Sequence, residues 1–467
     1  MTTIPLLCAA MFAQGDVDAL FASKYGAGTP GVAVAVVHDG KVAFQKGYGT
    51  ASLEFGQAVS PRTVFQAGSV SKQFTAFAIY LLERQGKLSL EDDARQYVPE
   101  IAGFSQPIRI KHLLAHTSGL RDQAGLLTMA GWRMDDVMTT SQVLRVLSRQ
   151  KELNFEPGSA YLYCNSGYTV LAAVVRRVTG KPFAAFAREA IFAPLGMHDT
   201  QFQDDHELVI RNRADSYWKP SGGGYKRTNL NDSADGPSNL YTTVEDMAKW
   251  ALNLERPVVG DAELIRRFNE PSLLNNGERA VYYSLPGDVG YHAKGQVQRV
   301  FEGLRVWSHG GHAGGFRSTF WRFPDQRFAV VLLSNDEHFA QLDHAEAIVR
   351  MYLKDSLRPV AAAPVPTPQR APATAAAPKV RLEGLCGVFY SDELETLYTA
   401  TVADGKLALW HIRHGEIALT PVAEDRFRGR IEFPVDVEFV RNGEGEAAEM
   451  RVSNFGAKNV RFQRLKR

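Results

Sequence analysis

Ser69, Val70, Ser71 and Lys72 place a hydroxyl and an amine three residues apart at the start of a stretch with helical apolar spacing. A serine hydroxyl keeps its proton at neutral pH, so it attacks a carbonyl only with a base within hydrogen-bond reach. On a helix, this spacing sets both residues on one face, with about 5–6 Å between Cβ atoms. At a helix start the Ser69 N–H has no intrahelical partner and is free to face a developing oxyanion. A capping serine followed by a solvated lysine has the same spacing. The flanking Gln66-Ala67-Gly68, Phe74 and Phe77 favour an inward-facing Lys72, where lost hydration lowers the amine pKa and makes it a base.

Tyr163-Cys164-Asn165 follows a Pro157-Gly158 turn and precedes a helix starting near Ser166. A tyrosine beside an ammonium can be held partly as phenolate, which makes Tyr163 a candidate general base. The Asn165 amide can accept from the lysine and donate to a substrate carbonyl. Standing alone, the tripeptide reads as a core tyrosine and a helix cap.

A third piece runs from Trp307 to Phe316 and contains His309, Gly310, Gly311 and His312. Here a strand enters glycines that would let a ligand approach the backbone closely. The His312 N–H is a candidate second oxyanion donor, and one such donor is typically worth ~3 kcal/mol of barrier. A phosphate-binding loop would lead into a helix, whereas a strand follows here. The pairs His112/His116 and His309/His312 have metal-compatible spacing, but Leu113 and Leu114 stand where a zinc protease carries its carboxylate. His112 and His116 read better as buried structural histidines, and no metal or other cofactor is expected. No G-x-S-x-G elbow occurs.

These residues need a frame. Val32 to Val37, the turn Asp39-Gly40 and Val42 to Tyr48 predict a hairpin. Helical periodicity covers Gln73 to Gln85, closed by Gly86, and recurs over 141–151, 166–178 and 243–254. Strands are expected at 306–309, 318–323 and 327–334, with a helix at 344–353 packing on them. Residues 359–378 are almost all Ala and Pro, an extended linker. Beyond it, short strands such as 406–410, 435–440 and 460–463 suit a small antiparallel barrel or sandwich.

With 467 residues, the chain suggests two domains, one large and one small. Net charge is +2 with interspersed signs, so no basic stripe marks a nucleic-acid partner. Cys8, Cys164 and Cys386 match no metal, redox or disulfide framework. The apolar run from Ile4 to Ala13 resembles a secretory signal and is far too short to span a bilayer. It points to a periplasmic or secreted protein; a cytosolic chain with a frayed start is the alternative.

In this order, Ser69/Lys72, Tyr163/Asn165 and His309-Gly310-Gly311 resemble the three motifs of the serine β-lactamase and penicillin-binding-protein superfamily. Their separations of 94 and 146 residues resemble its class C branch, as do Ile110 to Leu120, Pro157 to Gly167 and Gly236 to Trp250. The resemblance implies an α/β (α+β) sandwich of β-lactamase/transpeptidase type, with an antiparallel sheet, flanking helices and a helical subdomain. It also implies acylation of Ser69 and hydrolysis by water. Lys72 either takes the Ser69 proton or tunes Tyr163; Tyr163 serves the leaving group and the deacylating water; His309 completes the electrostatics around Tyr163. Histidine where β-lactamases carry the Lys of Lys-Thr-Gly looks more like D-aminopeptidases, D-amino-acid peptidases and family esterases.

The expected layout is a signal remnant at 1–15, a catalytic domain at 16–356, a linker at 357–380 and a barrel at 381–467. The barrel resembles lipocalin-like C-terminal domains through Gly387, Tyr390 and Glu393-Leu394, modules that shape substrate access or self-assembly. The best reading is a peptidase or amidase on D-amino-acid-containing or small acyl substrates. A promiscuous carboxylesterase and a β-lactamase are the enzymatic alternatives, and a penicillin-binding or scaffold protein is the non-enzymatic one.

Overall fold

The alternation of Val and Ala in Val32–His38 (β1) is explained by burial on both faces of one sheet. Ala33, Ala35 and Val37 join the core beneath the helices, while Val32, Val34 and Val36 join a second core with Val17, Phe21, Ile348 and Val349. A strand covered on both sides reads as a continuous apolar run. Asp39 and Gly40 both take positive φ, 52° and 74°, and turn the chain into Lys41–Tyr48 (β2). The computed structural model describes residues 15–285, 288–358 and 380–466. All of the expected leader but its last residue, Cys8 included, and nearly all of the expected linker lie outside the described residues.

The sheet is completed by Val281–Leu285 (β3), Asp288–Ala293 (β4), Gln296–Phe301 (β5), Leu304–Ala313 (β6), Phe316–Phe323 (β7) and Phe328–Ser334 (β8). Its order is β3-β4-β5-β6-β7-β8-β1-β2, with every pairing antiparallel. The first helical layer holds Lys72–Arg84 (α1), Gln123–Met129 (α2), Thr140–Ser148 (α3), Asn165–Thr179 (α4) and Val244–Glu255 (α5). Gln341–Leu353 (α6) covers the opposite face. This is the β-lactamase-type sandwich expected from the motifs. No described helix is long and apolar enough to cross a membrane.

Asn335 ties the end of β8 to its surroundings. Fully buried, it accepts from Gly31 N–H at 2.6 Å and donates toward the carbonyls of Thr50, Ala51 and Asp215 at 3.1, 3.1 and 2.8 Å. Asn335→Ala is expected to cost on the order of 3 kcal/mol, because it strands buried polar groups. A urea midpoint within experimental error of the wild type would contradict this.

The C-terminal segment forms nine strands: Gly387–Ser391 (β9), Thr396–Ala403 (β10), Lys406–His411 (β11), Gly415–Ala418 (β12), Thr420–Ala423 (β13), Arg426–Arg430 (β14), Pro434–Arg441 (β15), Ala447–Ser453 (β16) and Val460–Arg464 (β17). Their order, β12-β11-β10-β9-β17-β16-β15-β14-β13, makes a nearly closed barrel. In β15, Val435, Val437 and Phe439 point inward while Pro434 and Asp436 are exposed, the two-residue period of a half-buried strand. The barrel packs on the helical layer, its apolar residues continuing the core of α1, α2 and α4. The Tyr398 hydroxyl donates to the Met129 carbonyl at 2.9 Å.

Candidate active site

The turn before α1 is shaped by its neighbour, β6. Gly68 has φ +51°, and a Cβ there would lie 2.8 Å from the His312 nitrogen. Ser69 therefore sits in a tight 3₁₀ turn, Gly68–Ser71, pressed against the strand that carries His309 to His312. The backbones bearing the two candidate oxyanion donors, Ser69 and His312, are neighbours.

Lys72 opens α1 and is fully buried, whereas Ser69 is half-buried and reachable from outside. The Lys72 Nζ donates to Ser69 Oγ at 3.0 Å, Asn165 Oδ1 at 2.8 Å and the Pro237 carbonyl at 3.0 Å. It lies 4.8 Å from the ring centre of Tyr163 and 5.6 Å from that of Tyr168. Burial pulls its pKa down to about 7, against the upward pull of the Asp122 and Asp232 carboxylates. The Tyr163 hydroxyl donates to Ser69 Oγ at 2.8 Å. The serine oxygen thus has an amine on one side and a phenol on the other.

Three expectations change. Burial pushes the Tyr163 phenol well above its ordinary value, so at neutral pH it is a proton donor and not a phenolate. His309 is held neutral, pulled down to about 3 by burial first and by the Lys72 charge second. It cannot stabilise a phenolate by charge. Its Nδ1 bonds the Gly310 carbonyl at 2.6 Å, and its ring centre is 6.2 Å from that of Tyr163.

The third change concerns the glycines. At Gly311 a Cβ would sit 2.1 Å from the Ala67 carbonyl and 2.3 Å from Ser318 Oγ. The residue is small because the serine turn packs on it, not to admit a ligand. At Gly310 the nearest neighbours of a Cβ would be the Gln341 Nε2 at 3.0 Å and the Ser318 carbonyl at 3.7 Å.

A family model described as Beta-lactamase matches residues 17–352. The chain belongs to the β-lactamase family. A D-aminopeptidase from Brucella anthropi is 30% identical over 308 residues, 66% of this chain and 56% of that protein. One from Brucella ovis is 29% identical over 308 residues, 66% of this chain and 57% of that protein. The matches thus span somewhat more than half the length of these curated relatives. Among solved structures, an octameric penicillin-binding protein homologue from Pyrococcus abyssi aligns over 99% of this chain and 100% of its own, with TM-score 0.64 and 19% identity. The D-amino acid amidase from Ochrobactrum anthropi SV3 aligns over 75% of this chain and 99% of its own, with TM-score 0.59 and 21% identity. These structural likenesses speak for the β-lactamase fold.

Other residues complete the site without a motif to announce them. Asp122, fully buried, accepts from the Asn165 backbone N–H at 2.6 Å and from its Nδ2 at 3.0 Å. One amide hydrogen of Asn165 is therefore turned to a carboxylate and away from any substrate. Asp232 is buried near Lys72, its carboxyl pushed up to about 6 by burial while accepting from Ser238. His116 lies beneath Tyr163, ring centres 4.3 Å apart, and His292 is 4.5 Å from His116. Both are held neutral, chiefly by burial. Cys164 N–H donates to His116 Nδ1 at 3.1 Å, so His116 is part of the frame, as is His112. Among the described residues, no cluster of three or more His, Cys, Asp or Glu side chains is arranged for a metal ion.

Proposed function

We propose that this chain is a serine amidohydrolase that acylates Ser69 with the acyl group of D-aminoacyl amides or short D-residue peptides and releases it to water. The observation that carries the reading is the double contact on Ser69 Oγ: Lys72 at 3.0 Å and Tyr163 at 2.8 Å. Neutral Lys72 takes the Ser69 proton as Oγ attacks the carbonyl. The developing oxyanion faces the N–H groups of Ser69 and His312. Tyr163, still protonated, gives its proton to the departing amine and is reprotonated by Lys72. In deacylation, water attacks the ester and its proton returns to Ser69 through the same pair.

The D-preference is supported by the D-aminopeptidases at 29–30% identity. Neutral His309 weighs against the β-lactamase alternative, since a β-lactam carboxylate would find no cation at that position.

The test is D-Ala-p-nitroanilide, L-Ala-p-nitroanilide, p-nitrophenyl butyrate and a fluorescent penicillin, each with wild type and Ser69→Ala. Release is followed together with intact-protein mass. Release of p-nitroaniline from the D-isomer at least tenfold faster than from the L-isomer, lost in Ser69→Ala, is expected. Turnover of the ester alone would make the protein a carboxylesterase, and adduct with the penicillin alone would make it a penicillin-binding protein.

A further inference from the structure

The hydrogen-bond network behind Lys72 does not stop at the helical layer. The backbone N–H of Asp122 donates to the Gly456 carbonyl at 2.8 Å, in the turn between β16 and β17 of the barrel. The fit is close on both sides, for a Cβ on Gly456 would lie 2.4 Å from the Asp122 Cβ. Asn454, in the same turn, donates Nδ2 to the Gly125 carbonyl at 3.1 Å. Its Oδ1 accepts from the N–H groups of Gly456 and Ala457 at 3.1 and 2.9 Å, which keeps the turn in shape. From the helical side, Asn154 Nδ2 donates to the Gly456 carbonyl at 2.9 Å, and Asn154 Oδ1 accepts from Lys458 N–H at 2.9 Å.

The neighbouring residue repeats the pattern. Arg121 is 1% exposed and pairs with Glu393, in the turn between β9 and β10, at 2.6 Å. Two consecutive residues, one of which holds Asn165, are thus gripped by two turns of the barrel.

We propose that the barrel is a positioning element of the active site: its 454–456 turn fixes Asp122, Asp122 fixes Asn165, and Asn165 holds Lys72 against Ser69. Each link is one hydrogen bond or hydrogen-bond pair, so only two residues, Asp122 and Asn165, stand between the barrel and Lys72. The barrel bonds the backbone of the residue whose carboxylate orients the Lys72 acceptor. Asp122 is accordingly a positioning residue and makes no contact with the reacting oxygen. The inference rests on the reading of Ser69 and Lys72 given above.

The experiment uses the full chain and whichever of D-Ala-p-nitroanilide and p-nitrophenyl butyrate the wild type turns over faster, with Gly456→Ala against Gly443→Ala. A Cβ on Gly443 meets nothing within 4 Å, so that variant controls for substitution in the barrel. Gly456→Ala should lower kcat at least tenfold with KM within twofold of wild type, while Gly443→Ala keeps wild-type values. Asn154→Ala, which loosens the same turn without a clash, should lower kcat in the same way and keeps the test informative if Gly456→Ala fails to fold. Asp122→Ala should lower kcat at least as far, Asp122→Asn should recover part of the loss, and adding Gly456→Ala to Asp122→Ala should cost nothing more.

Folded Gly456→Ala and Asn154→Ala with wild-type kcat would overturn the proposal, as would fully additive losses in the double variant. Ser69→Ala run alongside separates the two readings. If it retains turnover, the assignment of the nucleophile fails. If it is inactive while Gly456→Ala is fully active, only the coupling fails.

Discussion

Replacing Lys72 by alanine is expected to slow acylation of Ser69 by about a thousandfold, within the range a positioned general base contributes. The protein should stay folded. The reason lies in the three neighbours of Nζ. Asn165 Oδ1 and the Pro237 carbonyl can only accept hydrogen bonds, whereas Ser69 Oγ has a proton to give. When Lys72 is neutral, its two N–H groups are therefore taken by the acceptor-only atoms, and its lone pair is left facing Ser69. The geometry selects the direction of proton transfer before any substrate arrives.

Folded Lys72 titrates near 7, so the pH dependence has a definite sign. Below that value Lys72 is protonated and Ser69 loses its acceptor, so acylation should fall by about tenfold per pH unit. Above it the rate should level off. Removing a buried ammonium relieves desolvation but strands two acceptors, so the melting temperature should move by only a few degrees. Rapid-quench mass spectrometry of the acyl adduct against pH is the measurement. Acylation of Lys72→Ala within tenfold of wild type would remove the lysine from the role of base.

How much of this was legible in the chain depends on where the chemistry resides. Side chains that act through their own identity, Ser69, Lys72 and Tyr163, stand in short motifs, and the structure brings them together at one oxygen. Helices with clear apolar spacing were readable to within a few residues: expected 73–85 is Lys72–Arg84, and expected 166–178 is Asn165–Thr179. The strands β3 to β5 went unread; in β5, the polar residues Gln296, Gln298 and Arg299 leave no apolar run to mark it. Yet they matter, since the turn at Gly295 abuts the Lys72 backbone.

Apart from Asn165, groups that act through position were barely legible. The Pro237 carbonyl is backbone, and no residue type signals it. Asp122 looks like a cap for α2, and it is one, accepting from Ala124 and Gly125 N–H at 2.9 and 3.4 Å. Its second task depends on Asn165, 43 residues later, and on Gly456 across the barrel interface. Its place directly after Thr117-Ser118-Gly119-Leu120-Arg121 was the one available signal. Charge states were likewise hidden, because burial and not sequence neighbours decides that His309 is neutral and Tyr163 protonated.

Gly311→Ala should be the most damaging single methyl group in the active site, with kcat reduced at least a hundredfold, the scale of losing one oxyanion donor. The added carbon would occupy the place of the Ala67 carbonyl and of Ser318 Oγ, which donates to that carbonyl at 2.6 Å. Neither can yield freely. The Ala67 N–H is fixed to the Leu240 carbonyl at 2.8 Å, and Ser71 Oγ accepts from the Leu240 N–H at 3.2 Å. The strand and the serine turn must separate instead, and with them the N–H groups of His312 and Ser69. Because an oxyanion hole works only at hydrogen-bond distance, a displacement of this size affects the transition state more than substrate binding. Gly310→Ala is the built-in comparison: its methyl's one tight neighbour is a side-chain end, the Gln341 Nε2 at 3.0 Å, with the Ser318 carbonyl at an ordinary 3.7 Å, so kcat should stay within about fivefold. Equal kinetics for the two variants would mean that the glycines of this strand do not set the oxyanion geometry. A hundredfold gap with similar KM would tie the smallness of Gly311 directly to the position of Ser69.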